Sequence, residues 1–423
     1  MVATLLGRDA NFRWYWLSRT VSLGGSQVTA FALPLVAAVS LGSGPAGVSA
    51  VAAATFLPNL IFPLLAGHLL ERIRKRPVMI WSDVLRALLL MVVPVAWWTG
   101  TLSLPLVIAV TFASGTITVF SDISGFALIP TLVSEKDLQA ANQAVQGSAT
   151  VSQIAGPGTA GVLVQTLGAP AALLCDATCY LASAFWLNRT RGGDDHVTAQ
   201  RGRVRDGILL LLRNVHLRAL TTHAALYNAT AQILTINLLI WAIQQRDLSA
   251  GAYGVALSCA GVGALAGTLL ATGVLRWLSF GGTFATALCF STGAPLAIPL
   301  IPGSGPPFAI ALGAIQLVSG LGLGCANVLS TTLRQIVVPK DQVARTNGGY
   351  RFLMFGSIPI GSAAGGILGS TFTPHLGVTV GTIGLAISAL PMLTPRVRRL
   401  AKPQDATDPT ASSTSKTAHD ASR

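Results

Sequence analysis

Two aspartates, Asp122 and Asp176, lie inside long runs of apolar residues. A charge near the middle of a membrane-spanning helix costs roughly 2.5–3.5 kcal/mol or more and is seldom kept without a use. A carboxyl group in that setting can take up and release a proton as its surroundings change, which is the chemistry that couples a proton gradient to movement. Two structural readings stand beside this one. Asp122 can belong to a network of charges near the helix ends, and Asp176, about two turns from the other end of its run, can cap or pair locally. A second group sits between apolar runs: Glu71 is followed by Arg72, Arg74, Lys75 and Arg76, and Asp83 precedes Arg86 by three residues. A carboxylate and several cations at neighbouring helix ends can form charge-assisted bonds that hold one arrangement and break in another. For Arg74 and Lys75 the plainer role of fixing topology has equal standing. A third group is polar without charge: Gln27, Tyr227, Asn228, Gln232, Gln316 and Asn327 fall at mid-depth in apolar runs, with Asn142 and Asn347 near the starts of two others. Such groups can line a cavity, although for any single one a helix-to-helix hydrogen bond is the simpler reading.

The elements that must position these groups are set by composition. The chain has 423 residues, of which 52% are hydrophobic and only 10% charged, where a soluble chain carries about a quarter charged. Its apolar residues come in runs of about twenty or more, the length a helix needs to cross roughly 30 Å of hydrocarbon. Splitting at the polar and Gly/Pro-rich breaks predicts helices over 17–40, 47–70, 78–99, 103–130, 139–165, 168–188, 218–243, 251–276, 280–301, 306–332, 345–369 and 373–395. The first run is too long for a signal peptide and no small-residue cleavage site follows it, so it is expected to remain as the first helix. Lys and Arg alternate by side: one set of loops holds Arg8, Arg13, Arg72, Arg74, Lys75, Arg76, Lys136, Arg276, Arg334, Lys340, Arg345 and the cluster after Pro395, while the other holds only Arg246. Basic residues near helix ends are retained in the cytoplasm, which predicts a multi-pass protein of the cell (inner) membrane with both termini cytoplasmic.

An internal repeat runs at an offset of 205 residues. Val133, Asn142, Gly156, Gly161, Leu163, Ser183 and Ala184 match Val338, Asn347, Gly361, Gly366, Leu368, Ser388 and Ala389. The expected fold is therefore an all-α integral membrane protein of twelve transmembrane helices in two pseudo-symmetric halves related by an axis along the membrane normal. The divisions are a cytoplasmic N-terminus (1–16), a first six-helix half (17–188), a cytoplasmic central loop (189–217), a second half (218–395) and a polar tail (396–423) too poor in apolar residues to fold.

Within this frame Gly67-His68-Leu69-Leu70-Glu71-Arg72-Ile73-Arg74-Lys75-Arg76 resembles the signature loop of the major facilitator superfamily, G-x-L-x-D-R-x-x-R-R, with Glu71 in place of Asp. Asp83-Val84-Leu85-Arg86-Ala87, Phe12-Arg13-Trp14-Tyr15-Trp16-Leu17 and Asp176-Ala177-Thr178-Cys179-Tyr180 are similar to the branch that contains macrolide efflux proteins and the enterobactin exporter. The resemblance covers the chain up to its tail. It implies a conformational latch at Gly67, Glu71, Arg72, Arg76, Asp83 and Arg86. Gly156-Pro157-Gly158-Thr159-Ala160-Gly161 resembles the G-P-x-x-G-G element of antiporters, with Ser152 where an upstream glycine stands in the full form. Proline frees a carbonyl and the glycines Gly156 and Gly161 permit close helix approach, so the segment can serve as a bend or as plain packing.

Other classes lose support. No lysine stands in a phosphate-binding Gly-rich loop, so an ATP-driven pump is not indicated, and no nucleophile elbow or metal-ligand pattern points to an enzyme. The net charge of +13 lies between apolar runs and not on one face, which argues against nucleic acid. The five cysteines all fall in apolar segments, as small packing residues do. The expectation is a monomeric secondary transporter in the lipid bilayer, with no cofactor and with a proton gradient as its energy source. The resemblance implies efflux of a hydrophobic or amphipathic small molecule such as a drug, a macrolide-like compound or a siderophore. Import of a nutrient is the alternative, and a sensor or enzyme without transport the remote one.

Overall fold

The computed structural model describes residues 2–63, 69–70, 73–134, 136–191, 204–338, 343–398 and 400–401. Among these residues there are helices and no strands. Hydrocarbon offers backbone N–H and C=O groups no water to bond, and a helix satisfies them within one segment. Twelve helices among the described residues follow the twelve expected runs: α1 (Ala10–Leu35), α2 (Pro45–Ile61), α3 (Lys75–Trp98), α4 (Leu104–Leu132), α5 (Leu138–Leu167), α6 (Ala169–Arg189), α7 (Val215–Ile240), α8 (Ala250–Val274), α9 (Phe280–Leu288), α10 (Gly305–Val337), α11 (Val343–Thr371) and α12 (Pro374–Ser388). Ten of them, taken with their π and 3-10 extensions, are long and apolar enough to cross a bilayer. Of the remaining two, α2 is apolar but short, and α5 is 30 residues long but studded with Gln, Asn, Ser and Thr.

Several boundaries differ from expectation. α1 starts at Ala10, seven residues ahead of the expected start at 17 and inside the segment expected as a cytoplasmic N-terminus, because the Asp9 carboxylate accepts from the Phe12 N–H at 3.0 Å and caps the helix. A short helix, Val2–Arg8, precedes it and is tied to the start of α5 by Arg8–Asp137 at 2.6 Å. The stretch expected as a central loop contains an amphipathic helix, Val204–Arg213, that packs on α11. α9 passes into a π turn at Cys289 and then 3-10 geometry over Ala294–Leu300, where Pro295 and Pro299 remove backbone donors. The polar tail beyond Ala401 lies outside the described residues. α5 turns into α6 at a single residue, Gly168, whose φ of +83° is one that a side chain would strain.

In the first half α1 packs on α5 and α6, α3 on α4 and α6, and α2 on α4; in the second, α7 packs on α11 and α12, and α8 on α10. The halves meet along two seams, α5 with α8 and α2 with α11. Both seams rely on small residues. A methyl group at Gly161 would lie 2.6 Å from the Ala250 carbonyl oxygen, one at Gly254 would collide with the Pro157 carbonyl, and one at Gly366 would collide with Ser49. Glycine here lets backbones touch, which is how helices associate where apolar burial gives no drive.

The core is not continuous from end to end. Near the end that carries Arg246, one cluster joins both halves: Leu35, Val36 and Val48 of the first pack with Trp241, Leu248, Tyr253 and Phe308 of the second. At the opposite, basic end the clusters separate. Phe12, Tyr15, Met79, Leu128 and Leu187 belong wholly to the first half, and Leu217, Phe284, Leu329 and Tyr350 wholly to the second. The Gln244 amide donates to the Ala38 carbonyl at 3.0 Å and adds a polar tie across the halves at the Arg246 end. The bundle is thus fastened at one end and divided at the other.

Candidate functional site

Charges enter this bundle from the basic end of the first half. Arg19 sits about 14 Å along α1 from its start and Asp122 about 15 Å along α4 from its end, at 1.5 Å per residue. They pair at 3.0 Å, with Arg19 14% exposed and Asp122 55% exposed. A charge at this depth does not face lipid, so the exposed side of Asp122 faces the gap between the halves, with Phe126 one turn on at 77% exposure.

Behind that pair lies a buried network. Asp83 and Arg86, one turn apart on α3 and each 3% exposed, are bonded to one another. The Ser183 hydroxyl of α6 donates to Asp83 at 2.6 Å and is itself 2.8 Å from the Ser18 hydroxyl of α1. Arg86 donates to the Tyr180 hydroxyl at 3.3 Å, to Ser121 at 3.3 Å and to Thr118 at 3.4 Å, and its guanidinium lies over the Tyr180 ring at 4.1 Å. Four helices meet on one ion pair whose remaining bonding positions are filled, the condition under which a buried pair is tolerated and holds its neighbours in register.

Asp176 is different in kind. It is fully buried between α6 and α1, the Thr29 hydroxyl donates to one carboxylate oxygen, and the other oxygen has no partner. A methyl group at Gly25 of α1 would collide with that free oxygen and would come within 2.6 Å of Cys179 Cβ. Glycine at 25 is what lets α1 close over the carboxyl.

Of the expected latch, Arg76, Asp83 and Arg86 are among the described residues. Gly67, Glu71 and Arg72 lie outside them. Arg76 donates to the Leu187 carbonyl at 3.1 Å and to the Asn188 side chain at 3.3 Å, so it caps the end of α6. Lys75 is buried and donates to the Leu70 and Ile73 carbonyls, holding the turn ahead of α3. Asp83 and Arg86 bond elsewhere, as above. The Gly156–Gly161 element sits at a three-helix junction: a methyl at Gly156 would press on the Gln27 side chain of α1 at 2.5 Å, while Pro157 and Gly161 abut α8. The Gly158 N–H donates to Ser258 of α8 at 2.8 Å.

The polar cavity candidates are scattered. Gln27 is held against Gly156. Asn228 donates to Ala224 of its own helix at 2.8 Å, and Tyr227 packs against the joined core beside His223. Gln232 and Gln316 are half-buried and Asn327 is exposed. Groups that sequence reasoning passed over form a more regular feature. Gln139, Gln143, Gln146 and Gln153 of α5 are exposed, with Thr150 half-exposed between them. Their spacing of 4, 3, 4 and 3 places them on one helical face, opposite the apolar Val151 and Val162. That stripe is why α5 as a whole is less apolar than the other spans. It lines the divided end as a ladder of amides. Arg19 was also passed over as a functional group, since a cation near the start of an apolar run reads first as a topology mark. Asn237, fully buried on α7, joins that helix to α11 through the Gly365 carbonyl at 3.0 Å. A groove of about 710 Å³ between α8 and α10, lined by Ala252, Val255, Cys259, Ala309 and Ile310 among others, touches none of these charges.

Residues 5–419 match the family described as transmembrane secretion effectors, within the major facilitator superfamily. The chain belongs to that family. YvqJ of Bacillus subtilis (strain 168), described as an MFS-type transporter, is 22% identical to this secretion effector family member over 407 residues, 90% of this chain and 92% of YvqJ. BacE of Bacillus subtilis, whose name assigns it bacilysin export, is 26% identical over 243 residues, 54% of this chain and 57% of BacE. Among solved structures, a variant of the nucleoside transporter NupG superposes with a TM-score of 0.74 at 12% identity, covering 90% of this chain and all of that one. A bacterial homologue of the iron transporter ferroportin superposes with a TM-score of 0.70 in its inward-facing state (17% identity, covering 90% of this chain and 97% of that one). In its outward-facing state the score is 0.59 at 16% identity, covering 90% and 98%. These likenesses place the twelve helices in the major facilitator fold.

Proposed function

We propose that this family member is a secondary transporter that exports an amphipathic small molecule by alternating access, with protons moving the other way. The observation that carries the reading is the one-ended closure: the halves share a core at the Arg246 end and part at the basic end around a gap lined by Asp122, Phe126 and the amides of α5. On the orientation expected from the basic loops, with both termini in the cytoplasm of a cell-membrane protein, this is an inward-open state ready to load cargo from inside. The higher score against the inward-facing form of the ferroportin homologue agrees with it, and the name of BacE favours export over import.

Coupling falls to the two intramembrane aspartates, and their surroundings favour Asp176. Asp122 already has a counter-ion in Arg19. Asp176 has none in hydrogen-bonding reach, so a proton gained or lost there changes the charge between α1 and α6 without compensation. α1 rests through Gln27 on Gly156 of α5, beside the α5–α8 seam, and both helices supply partners to the Asp83–Arg86 network, so the change would pass by these contacts toward the seam. The signature-loop latch, with Glu71 and Arg72 at the basic end, would lock the closed form of that end, and Pro157 with its glycines would let α5 move on α8. The test is accumulation of a panel of antibiotics and siderophores in cells with and without the gene. Export predicts lower accumulation in its presence, reversed when the proton gradient is collapsed; faster uptake would establish import instead.

A further inference from the structure

Arg351 stands about 12 Å along α11 from its start at the basic end, close to the depth of Arg19 and Asp122 but in the other half. It is exposed, and its guanidinium lies 5.7 Å from the ring of Phe355, one turn on, with exposed Phe352 beside it. No carboxylate pairs with it among the described residues. The 205-residue repeat puts Arg351 where Gln146 stands in α5 and Phe355 where Thr150 stands, so these two side chains take the face that the amide ladder takes in the first half. The opposite side of α11 carries Ile360 and Ile367, both exposed and apolar, as the lipid-facing side of α5 carries Val151 and Val162. Arg351 therefore points into the divided end, across from the amides.

The charge balance of that space follows. Asp122 is compensated by Arg19, Asp83 by Arg86, and Asp176 is buried away from the gap between α1 and α6. Arg351 faces the gap with no carboxylate partner among the described residues; Phe355 and exposed Phe352 stand beside it on α11, and exposed Phe126 lies at the same end on α4. A guanidinium forms charge-assisted bonds with a carboxylate in a geometry an ammonium does not match, and in a partly desolvated gap it attracts anions and repels cations.

Resting on the transport reading above, we infer that the cargo is an amphipathic organic anion, with its carboxylate or similar acid group on Arg351 and its apolar body against Phe126, Phe352 and Phe355. The neutral amides of α5 fit the polar but uncharged parts of such a molecule. Arg351 is then the specificity-determining residue, separate from the proton-carrying group.

The test uses the full chain in inside-out membrane vesicles energised with a proton gradient, and three probes: N-dansyl-phenylalanine, its neutral amide N-dansyl-phenylalaninamide, and the cation ethidium. The first two differ only at the acid group. Wild type should move the carboxylate faster than the amide by about tenfold, the change expected from one charge-assisted hydrogen bond. Arg351→Gln should slow the carboxylate to the rate of the amide while leaving the amide unchanged, and Arg351→Lys should retain part of the preference. Equal rates for acid and amide in wild type, a preference for ethidium, or an Arg351→Gln variant that slows all probes alike would overturn the inference. The last result would make Arg351 a gating residue. Movement of ethidium or the amide above vesicles lacking the protein would keep the transport reading even as the anion inference fell.

Discussion

The two halves share a fold and divide its work. Among the described residues every buried charged side chain (Lys75, Asp83, Arg86 and Asp176) lies in the first half, while the buried polar groups of the second are Ser, Thr and Asn. The second half is held by backbone contact instead. Methyl groups at Gly263, Gly267, Gly320 and Gly324 would each collide with a carbonyl of the facing helix in the α8–α10 pair. In sequence, Ala266-Gly267-Thr268-Leu269-Leu270 resembles Ala66-Gly67-His68-Leu69-Leu70 of the signature loop at an offset of 200, and in the second copy Gly267 serves the packing of α8 on α10. One half holds the buried charges, and its twin is packed backbone against backbone.

The largest expected effect breaks that packing. Gly267→Leu forces a side chain into the Leu321 carbonyl and should remove the folded protein, read as loss of a monodisperse peak in detergent. Gly24→Ala, where nothing lies within 4 Å of the new methyl, should leave the peak intact. Next comes the first-half network. Arg86→Ala leaves Asp83 buried without its cation and should cost about 3–5 kcal/mol, seen as a lowered unfolding midpoint. The double variant Asp83→Asn, Arg86→Gln, which removes both charges, should recover part of that loss. If Arg86→Ala is harmless, the contrast between the halves is only one of composition.

The architecture was legible because its cause is local: a run of about twenty apolar residues is a helix wherever it stands in a bilayer, and the 205-residue repeat relates the halves. The pairing inside the first half was less so. Arg19 and Asp122 are 103 positions apart, Ser183 and Asp83 are 100 apart, and nothing in either segment alone marks its partner. Arg76, expected in a latch, caps α6 in this structure, since a guanidinium close to a helix C-terminus finds unpaired carbonyls. The amide ladder of α5 was present at helical spacing, but uncharged glutamines carry a weaker signal than an aspartate and only the fold shows that they face the gap.

A smaller effect sharpens the comparison at the seam. Ser258→Ala removes the hydroxyl that takes the Gly158 N–H beside Pro157, a loss of about 0.6–2 kcal/mol. It should shift the balance between the two access states without unfolding the protein. Cysteine pairs across the α5–α8 seam would report this as a changed cross-linking yield, with an unchanged unfolding midpoint.

The central claim is that the first half carries the coupling and that Asp176 is its proton-bearing group. Proteoliposomes test it directly, using whichever of the dansyl probes or ethidium the wild-type vesicles accumulate. Asp176→Asn should abolish accumulation driven by a proton gradient while preserving counterflow exchange of labelled for unlabelled probe, because the pathway stays open and only the coupling is lost. Proton-driven accumulation at the wild-type rate in Asp176→Asn would contradict the account, and its loss in Asp122→Asn instead would move the role to that residue.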